Sequence, residues 1–213
     1  MKKVSSIVIS LFSILLIGNI SANAQRIPYM SLIDNKEMKY MDNAEISIDA
    51  WREYQYLMKK TYGQDSKEFL STIFDSIVFD KYYGNLLKYS PNELWISPPM
   101  GSKKDLIDCS DYPMIGISYK QCIDYCKWRT EIYNYKIKGV SKITFSIPSH
   151  EDYAKAISKA KITNNPPLFK LVNKKRGKIT GVTDNVKEYN IGNKINPNDN
   201  PIGFRCIAII EKD

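Results

Sequence analysis

The chain has 213 residues, room for one substantial domain and scarcely for two. Lysine and arginine number 31 against 23 aspartates and glutamates, a formal charge of +8. Beyond the N-terminal leader no stretch is apolar enough to cross a bilayer, and neither an internal repeat nor a low-complexity tract occurs, which excludes a polytopic membrane protein and a repeat array.

Residues 1–24 read as a secretory signal peptide. Lys2 and Lys3 make a basic start, residues 7–17 an apolar run, and Ala22-Asn23-Ala24 a small-residue cleavage site before Gln25. The run is too short to serve comfortably as a membrane anchor. The first cysteine is Cys109, so no lipid can be attached through a cysteine at the new N-terminus. The protein is therefore expected to be exported: periplasmic, associated with the cell envelope, or secreted. Removing Lys2 and Lys3 takes two from +8 and leaves +6. Part of that charge lies in Lys174-Lys175-Arg176, read as a solvated loop rather than a nucleic-acid patch. No nucleic-acid partner is expected, and an anionic envelope polymer is the more available one.

Residues 25–44, polar with scattered aromatics, read as an N-terminal arm whose first part, 25–43, is alternatively an edge strand. The domain proper is expected over 45–213. Residues 45–48 look extended. Ser47 or Asp49 then caps a helix over residues 50–58, where Trp51, Tyr54 and Met58 recur at helical spacing. That stripe reads as core. Gly63 is a natural stop. Residues 69–79 are either helix or an extended insertion, which periodicity does not settle. Residues 90–101, rich in proline and serine, read as a surface connection.

The next stretch organises the chain. Tyr112-Pro113-Met114-Ile115-Gly116-Ile117 predicts a short apolar strand running into an amphipathic helix. Ser118 is its cap, and Gln121 three residues on completes a capping box. Tyr119, Cys122, Ile123 and Cys126 fall on one face, the one that turns to a core. Four cysteines in an exported chain invite disulfides, but four allow three pairings and spacing does not choose among them. Cys122 and Cys126 stand one turn apart, where a bridge inside a regular helix has poor geometry. Each pairs elsewhere or one stays free. Metal binding by the four is disfavoured, since paired C-x-x-C hooks are absent and the single histidine, His150, lies elsewhere.

Residues 131–139 read as a loop and 142–147 as a strand. Ser149 caps a second helix with Glu151 and Asp152 in its first turn, where carboxylates suit the helix dipole. Tyr153, Ala156, Ile157 and Ala160 are expected to face inward, and residues 164–167 end the helix. Short strands are expected at 169–172 and 178–182, a loop at 190–201, and a closing strand at 203–210. His150 is read as a surface residue of a helix start, since no nucleophile elbow accompanies it. Trp51, Trp95 and Trp128 read as packing residues, and Arg205 as half of a structural ion pair. Short strands among a few well-capped helices indicate one α+β domain.

With these residues placed, a family resemblance emerges. Residues 112–119, followed by Tyr125-Cys126-Lys127-Trp128-Arg129-Thr130, resemble the "hP-V-V-x-V-S-W…A-x-x-[FY]-C-x-W" core of the formylglycine-generating enzyme family, the sulfatase-modifying factors. The Trp-Arg-Thr ending looks most like the branch with gliding-motility and type IX secretion lipoproteins. Ile147-Pro148-Ser149-His150-Glu151-Asp152-Tyr153 is similar to "L-P-T-E-A-E-W", residues 183–189 to "G-N-V-W-E-W", and Gly203-Phe204-Arg205-Cys206 to the terminal "G-F-R-C". Upstream, residues 46–54 resemble the "V-T-N-x-E-Y-x-x-F" helix start. The matches run in order over most of residues 45–210.

The resemblance implies an α+β fold related to C-type lectin-like domains. It implies a disulfide between Cys126 and Cys206, and leaves Cys109 and Cys122 for a second bridge. Asn185 and Glu188 match positions that help hold calcium in the family, a hard cation suited to oxygen ligands; the plainer reading is a carboxylate with no metal. The departures bear on function. Catalytic members bear a copper(I)-binding cysteine pair in a "G-G-S-W…C-R…R" block before "G-F-R", a soft-ligand arrangement. Residues 190–202 stand there and hold no cysteine, no Gly-Gly-Ser and no arginine. No catalytic residue is therefore assigned. The expectation is a non-catalytic binding or scaffold module of the envelope, with envelope or secretion-machinery proteins as partners. The alternatives are a divergent formylglycine-type oxidase acting on a protein side chain, and a lectin-like glycan binder resting on fold analogy.

Overall fold

The computed structural model describes residues 27–83, 112–136, 142–160, 178–182, 186–191 and 201–211. The expectations at 90–101, 164–167 and 169–172, together with Trp95, Lys174-Lys175-Arg176, Cys109 and Asn185, lie outside these residues, as does most of the loop at 190–201. The described chain is α+β.

Residues 30–42, read as arm or edge strand, form a β-hairpin. Its first strand, β1 (Met30–Asp34), lies at the edge of an antiparallel sheet. Its second, β2 (Lys39–Asp42), pairs onward with the closing strand. The sheet thus recruits chain from both sides of the boundary drawn after residue 44. From Asp42 the chain does not return to the surface. Residues 42–48 are all buried, though four of them, Asp42, Asn43, Glu45 and Ser47, are polar. The backbone of this thread is bonded on two sides. The N–H groups of Asp42 and Ile46 donate to the carbonyls of Cys206 and Phe204 at 2.9 and 2.8 Å. Met114 N–H donates to Ile46, and Ile48 N–H to Tyr112. A buried irregular segment needs such partners for each amide.

The thread ends in α1 (Ile48–Tyr62), capped by Ser47, whose hydroxyl accepts from Ala50 N–H at 3.3 Å. Gly63 stops it at φ 96°, with its N–H on the Lys59 carbonyl. The stretch left open at 69–79 is helical, in two pieces: α2 (Lys67–Leu70) and α3 (Ser76–Tyr83). Trp51 Nε1 and Gln55 Nε2 both donate to the Thr72 carbonyl between them, fixing α1 against the turn.

The strand expected at 112–117 does not form. A single bridge joins Pro113 to Ser47, after which Gly116 turns the chain at φ 73°. The turn follows a distant contact: the Gly116 carbonyl accepts from the N–H of Asp75, between α2 and α3, so two backbones approach closely. The helix that follows, α4 (Tyr119–Lys136), has the predicted capping box. Gln121 N–H donates to the Ser118 hydroxyl at 3.3 Å, and Ser118 N–H to the Gln121 side-chain oxygen at 2.7 Å. It runs through 131–136, where a loop was expected, because Tyr133 packs edge-on against Phe145 and Asn134 bonds the neighbouring strand. Tertiary contact holds turns that propensity alone does not mark.

That strand is β3 (Ile143–Ser146), at the far edge of the sheet. Next comes α5 (His150–Ile157), where Ser149 and Asp152 make a full capping box. Tyr153 and Ala156 face inward as expected; Ile157 does not, being 37% exposed. Residues 178–182 form no strand. Thr180 N–H meets the Asn43 carbonyl, and Gly181 at φ 74° lies flat against the Glu45 carboxylate. A short parallel pair joins β4 (Lys187–Glu188) to β5 (Ile202–Gly203). The closing strand is likewise interrupted: β5 ends at Gly203, and β6 (Ile207–Ile210) starts four residues later. Phe204, Arg205 and Cys206 are consecutive and each fully buried, which the two-fold alternation of a strand cannot provide. The sheet order is β1-β2-β6-β3, antiparallel throughout. No helix of the described residues is long and apolar enough to cross a membrane.

Two predictions follow from this geometry. A Cβ on Gly116 would stand 2.6 Å from the Asp75 carbonyl oxygen. With the left-handed backbone added, Gly116→Ala is expected to destabilise the domain by about 1–3 kcal/mol, read from urea denaturation midpoints. At the hairpin, the Lys155 ammonium bonds Asp34 at 2.7 Å and, with the backbone amides of Glu37 and Lys36, lowers the Asp34 carboxyl from 3.8 to about 2. A depressed folded-state pKa means that this tie supports the fold above about pH 4 and is lost as pH falls through about 2. Lys155→Met is expected to move the Asp34 midpoint up toward 3.8, measured by carboxyl carbon NMR titration.

Candidate functional site

The motif positions singled out in the sequence converge on one interior seam, where α4 meets the interruption between β5 and β6. Its centre is Arg205. The side chain is fully buried, and it points inward because residues 204–206 leave the strand. Its Nε donates to Glu188 Oε2 at 2.7 Å and its Nη2 to Glu188 Oε1 at 2.6 Å, a two-pronged ion pair. Nη1 donates to the Asp42 carbonyl and Nη2 also to that of Thr180, at 3.3 and 3.0 Å. A second carboxylate, Glu45, stands 3.8 Å from Nη2. Burial acts to lower the Arg205 pKa, but the adjacent Glu188 carboxylate outweighs it and holds the guanidinium firmly charged. Tyr153 completes the group, its hydroxyl donating to Glu188 Oε2. Burial first, then the Glu188 charge, pushes the phenol well above its ordinary range.

A second group lies beside it. The Asp42 carboxylate takes both arms of Arg129, at 2.7 and 2.9 Å, and also the Cys206 N–H at 2.9 Å. Arg129 stacks over the Phe145 ring at 4.4 Å. One carboxylate thereby ties α4 to the chain entering β6. The sulfurs of Cys126 and Cys206, the two the resemblance pairs, lie here in contact at 3.3 Å. They are thiols in this structure; a bond would bring them to about 2.05 Å. Cys122, one turn earlier on α4, is also fully buried and a thiol. Burial raises the thiol pKa of Cys122 and of Cys206 well above the usual value. As thiols they are held protonated, which makes them poor nucleophiles. Above the sulfurs sits an aromatic cluster, with Tyr125 stacked on Trp51 at 5.6 Å and edge-on to Phe204 at 5.4 Å.

Of the expected site residues, Cys126 and Cys206 are brought together and Cys122 shares their interior. Arg205 is half of an ion pair, as its motif position suggests. Glu188 lies on β4, with both oxygens taken up by an arginine and a phenol. Among the described residues no group of three or more His, Cys, Asp or Glu side chains is placed to hold a metal ion. His150 is exposed at the first position of α5. Trp51 and Trp128 pack with Tyr54 and Tyr125. Sequence reasoning missed Asp42, Glu45, Arg129 and Tyr153 as members of the polar seam. Asp42 lies in the stretch read as an arm or edge strand, and Glu45 in the one read as extended. The one available signal was that Asp42, Asn43 and Glu45 crowd in just ahead of the helix cap Ser47.

No family model matches the chain, and no curated protein or solved structure matches it significantly.

Removing one partner of the buried pair leaves the other without its main counter-charge. Glu188→Gln is expected to cost about 3–5 kcal/mol in denaturant unfolding, whereas Glu188→Leu combined with Arg205→Met costs less than the two single changes added together.

Proposed function

We propose that this chain is an exported domain of the formylglycine-generating-enzyme type that acts without catalysis, as a binding or scaffold module of the cell envelope in gliding or type IX secretion. Its partners are envelope or secretion-machinery proteins. The observation that carries the reading is where the reactive groups lie: Cys122, Cys126, Cys206, Glu188, Arg205 and Tyr153 are all buried, and the charged ones are bonded to one another. Groups so placed support a shape. The resemblance adds that residues 190–202, where catalytic members carry their copper-binding cysteines, have none.

In an exported chain the contact between Cys126 and Cys206 closes as a disulfide. The two cysteines are 80 residues apart, and tying that loop stabilises the fold by about 4 kcal/mol on the chain-entropy account. The Cys109–Cys122 bridge is carried by the resemblance alone, and at Glu188 the plainer reading, a carboxylate with no metal, is the one proposed, since Arg205 and Tyr153 bond both of its oxygens.

Non-reducing peptide mapping of protein purified from the envelope fraction is expected to find Cys126 linked to Cys206, and copper(I) titration to find no tight site. Cross-linked envelope extracts should yield a reproducible protein partner. Stoichiometric copper(I) bound through free thiols would support the oxidase instead. Capture on a glycan array with no protein partner would support the lectin.

A further inference from the structure

The two strands at the sheet edges, β1 and β3, have backbone groups that no strand covers. In β3 the even positions pair with β6: the Lys142 carbonyl just before it accepts Glu211 N–H, and Thr144 and Ser146 lie opposite Ile209 and Ile207. The backbone groups of Ile143 and Phe145 therefore point away from the sheet. They meet α4. The Asn134 carboxamide donates to the Ile143 carbonyl at 2.7 Å and accepts the Ile143 N–H at 3.0 Å, as a peptide unit of a neighbouring strand would. The Thr130 hydroxyl accepts the Phe145 N–H at 2.9 Å and donates to the Cys126 carbonyl at 2.9 Å, which fixes its direction.

The spacing explains why a helix can do this. Thr130 and Asn134 are four residues apart, a rise of about 6 Å along a helix. Ile143 and Phe145 are two apart, about 6.6 Å along a strand. Tyr133 and Arg129 on the same helix cover the Phe145 ring. The opposite edge is also partly covered: Lys159, in the turn just after α5, donates to the Leu32 and Ile33 carbonyls of β1 at 3.0 and 3.1 Å. Left open, β3 would be a poor edge. Its residues, Ile-Thr-Phe-Ser, are β-prone and carry no charge, the composition that invites a further strand.

We propose that Asn134 and Thr130 form a strand-mimicking cap whose role is to stop β3 from pairing with β3 of a second copy of this chain. Without the cap, three backbone groups in a part-buried seam lack partners, which favours lifting the end of α4 and opening the edge.

The test is the double variant Thr130→Val/Asn134→Ala, compared with wild type by sedimentation velocity over a hundredfold concentration range. The expected result is a mass that rises with concentration above that of wild type, with near-native circular dichroism. A folded double variant that keeps the wild-type mass throughout overturns the proposal. Should the double variant not fold, amide hydrogen exchange decides, on wild type and on Asn134→Ala alone. The Ile143 amide is expected to be protected in wild type and to lose about tenfold or more of that protection in Asn134→Ala, while Thr144 keeps its own. Equal Ile143 rates in both proteins overturn the proposal.

Discussion

A single guanidinium sets the terms for this fold. Arg205 is fully buried, and an isolated charge in that position costs several kcal/mol in lost hydration. Only a full set of partners offsets such a cost. Those partners come from four places: Glu188 on β4, the carbonyls of Asp42 and Thr180, and the carboxylate of Glu45. To put the side chain there, residues 204–206 must leave the ladder. The break in the closing strand is thus a consequence of the ion pair. So is the path of residues 42–48, whose amides take the carbonyls that Phe204 and Cys206 no longer give to a strand.

The same break delivers the neighbours of Arg205 to opposite tasks. Phe204 turns up into the aromatic cluster with Trp51 and Tyr125. Cys206 turns to α4 and Cys126. Asp42 links the two, holding Arg129 of α4 with its carboxylate and Arg205 with its carbonyl. Helix, sheet and thread are therefore fastened at adjacent points, each buried or part-buried.

The helix starts were legible from local signals. Ser47, Ser118 and Ser149 cap their helices, because a hydroxyl and the free amides of the first turn lie within three residues of each other. Gly63 ends α1 for the same short-range reason, a backbone angle open to glycine. The core stripe of Trp51 and Tyr54 follows from helical period. The end of α4 was not legible, since Tyr133 and Asn134 owe their helical state to β3, a separate segment. Nor was the polar thread, since Asp42 and Glu45 meet Arg129 and Arg205, which lie far along the chain.

The amino-acid sequence by itself determined the α+β class, the capped helix starts, the inward face of α4 and the structural role of Arg205, all of which depend on neighbours within a turn or on residue type. The tertiary structure alone decided where strands break and which carboxylates go inside. Those outcomes depend on groups as far apart as Asp42 and Arg205, 163 residues distant along the chain, and an electrostatic match across that separation leaves no local pattern to read.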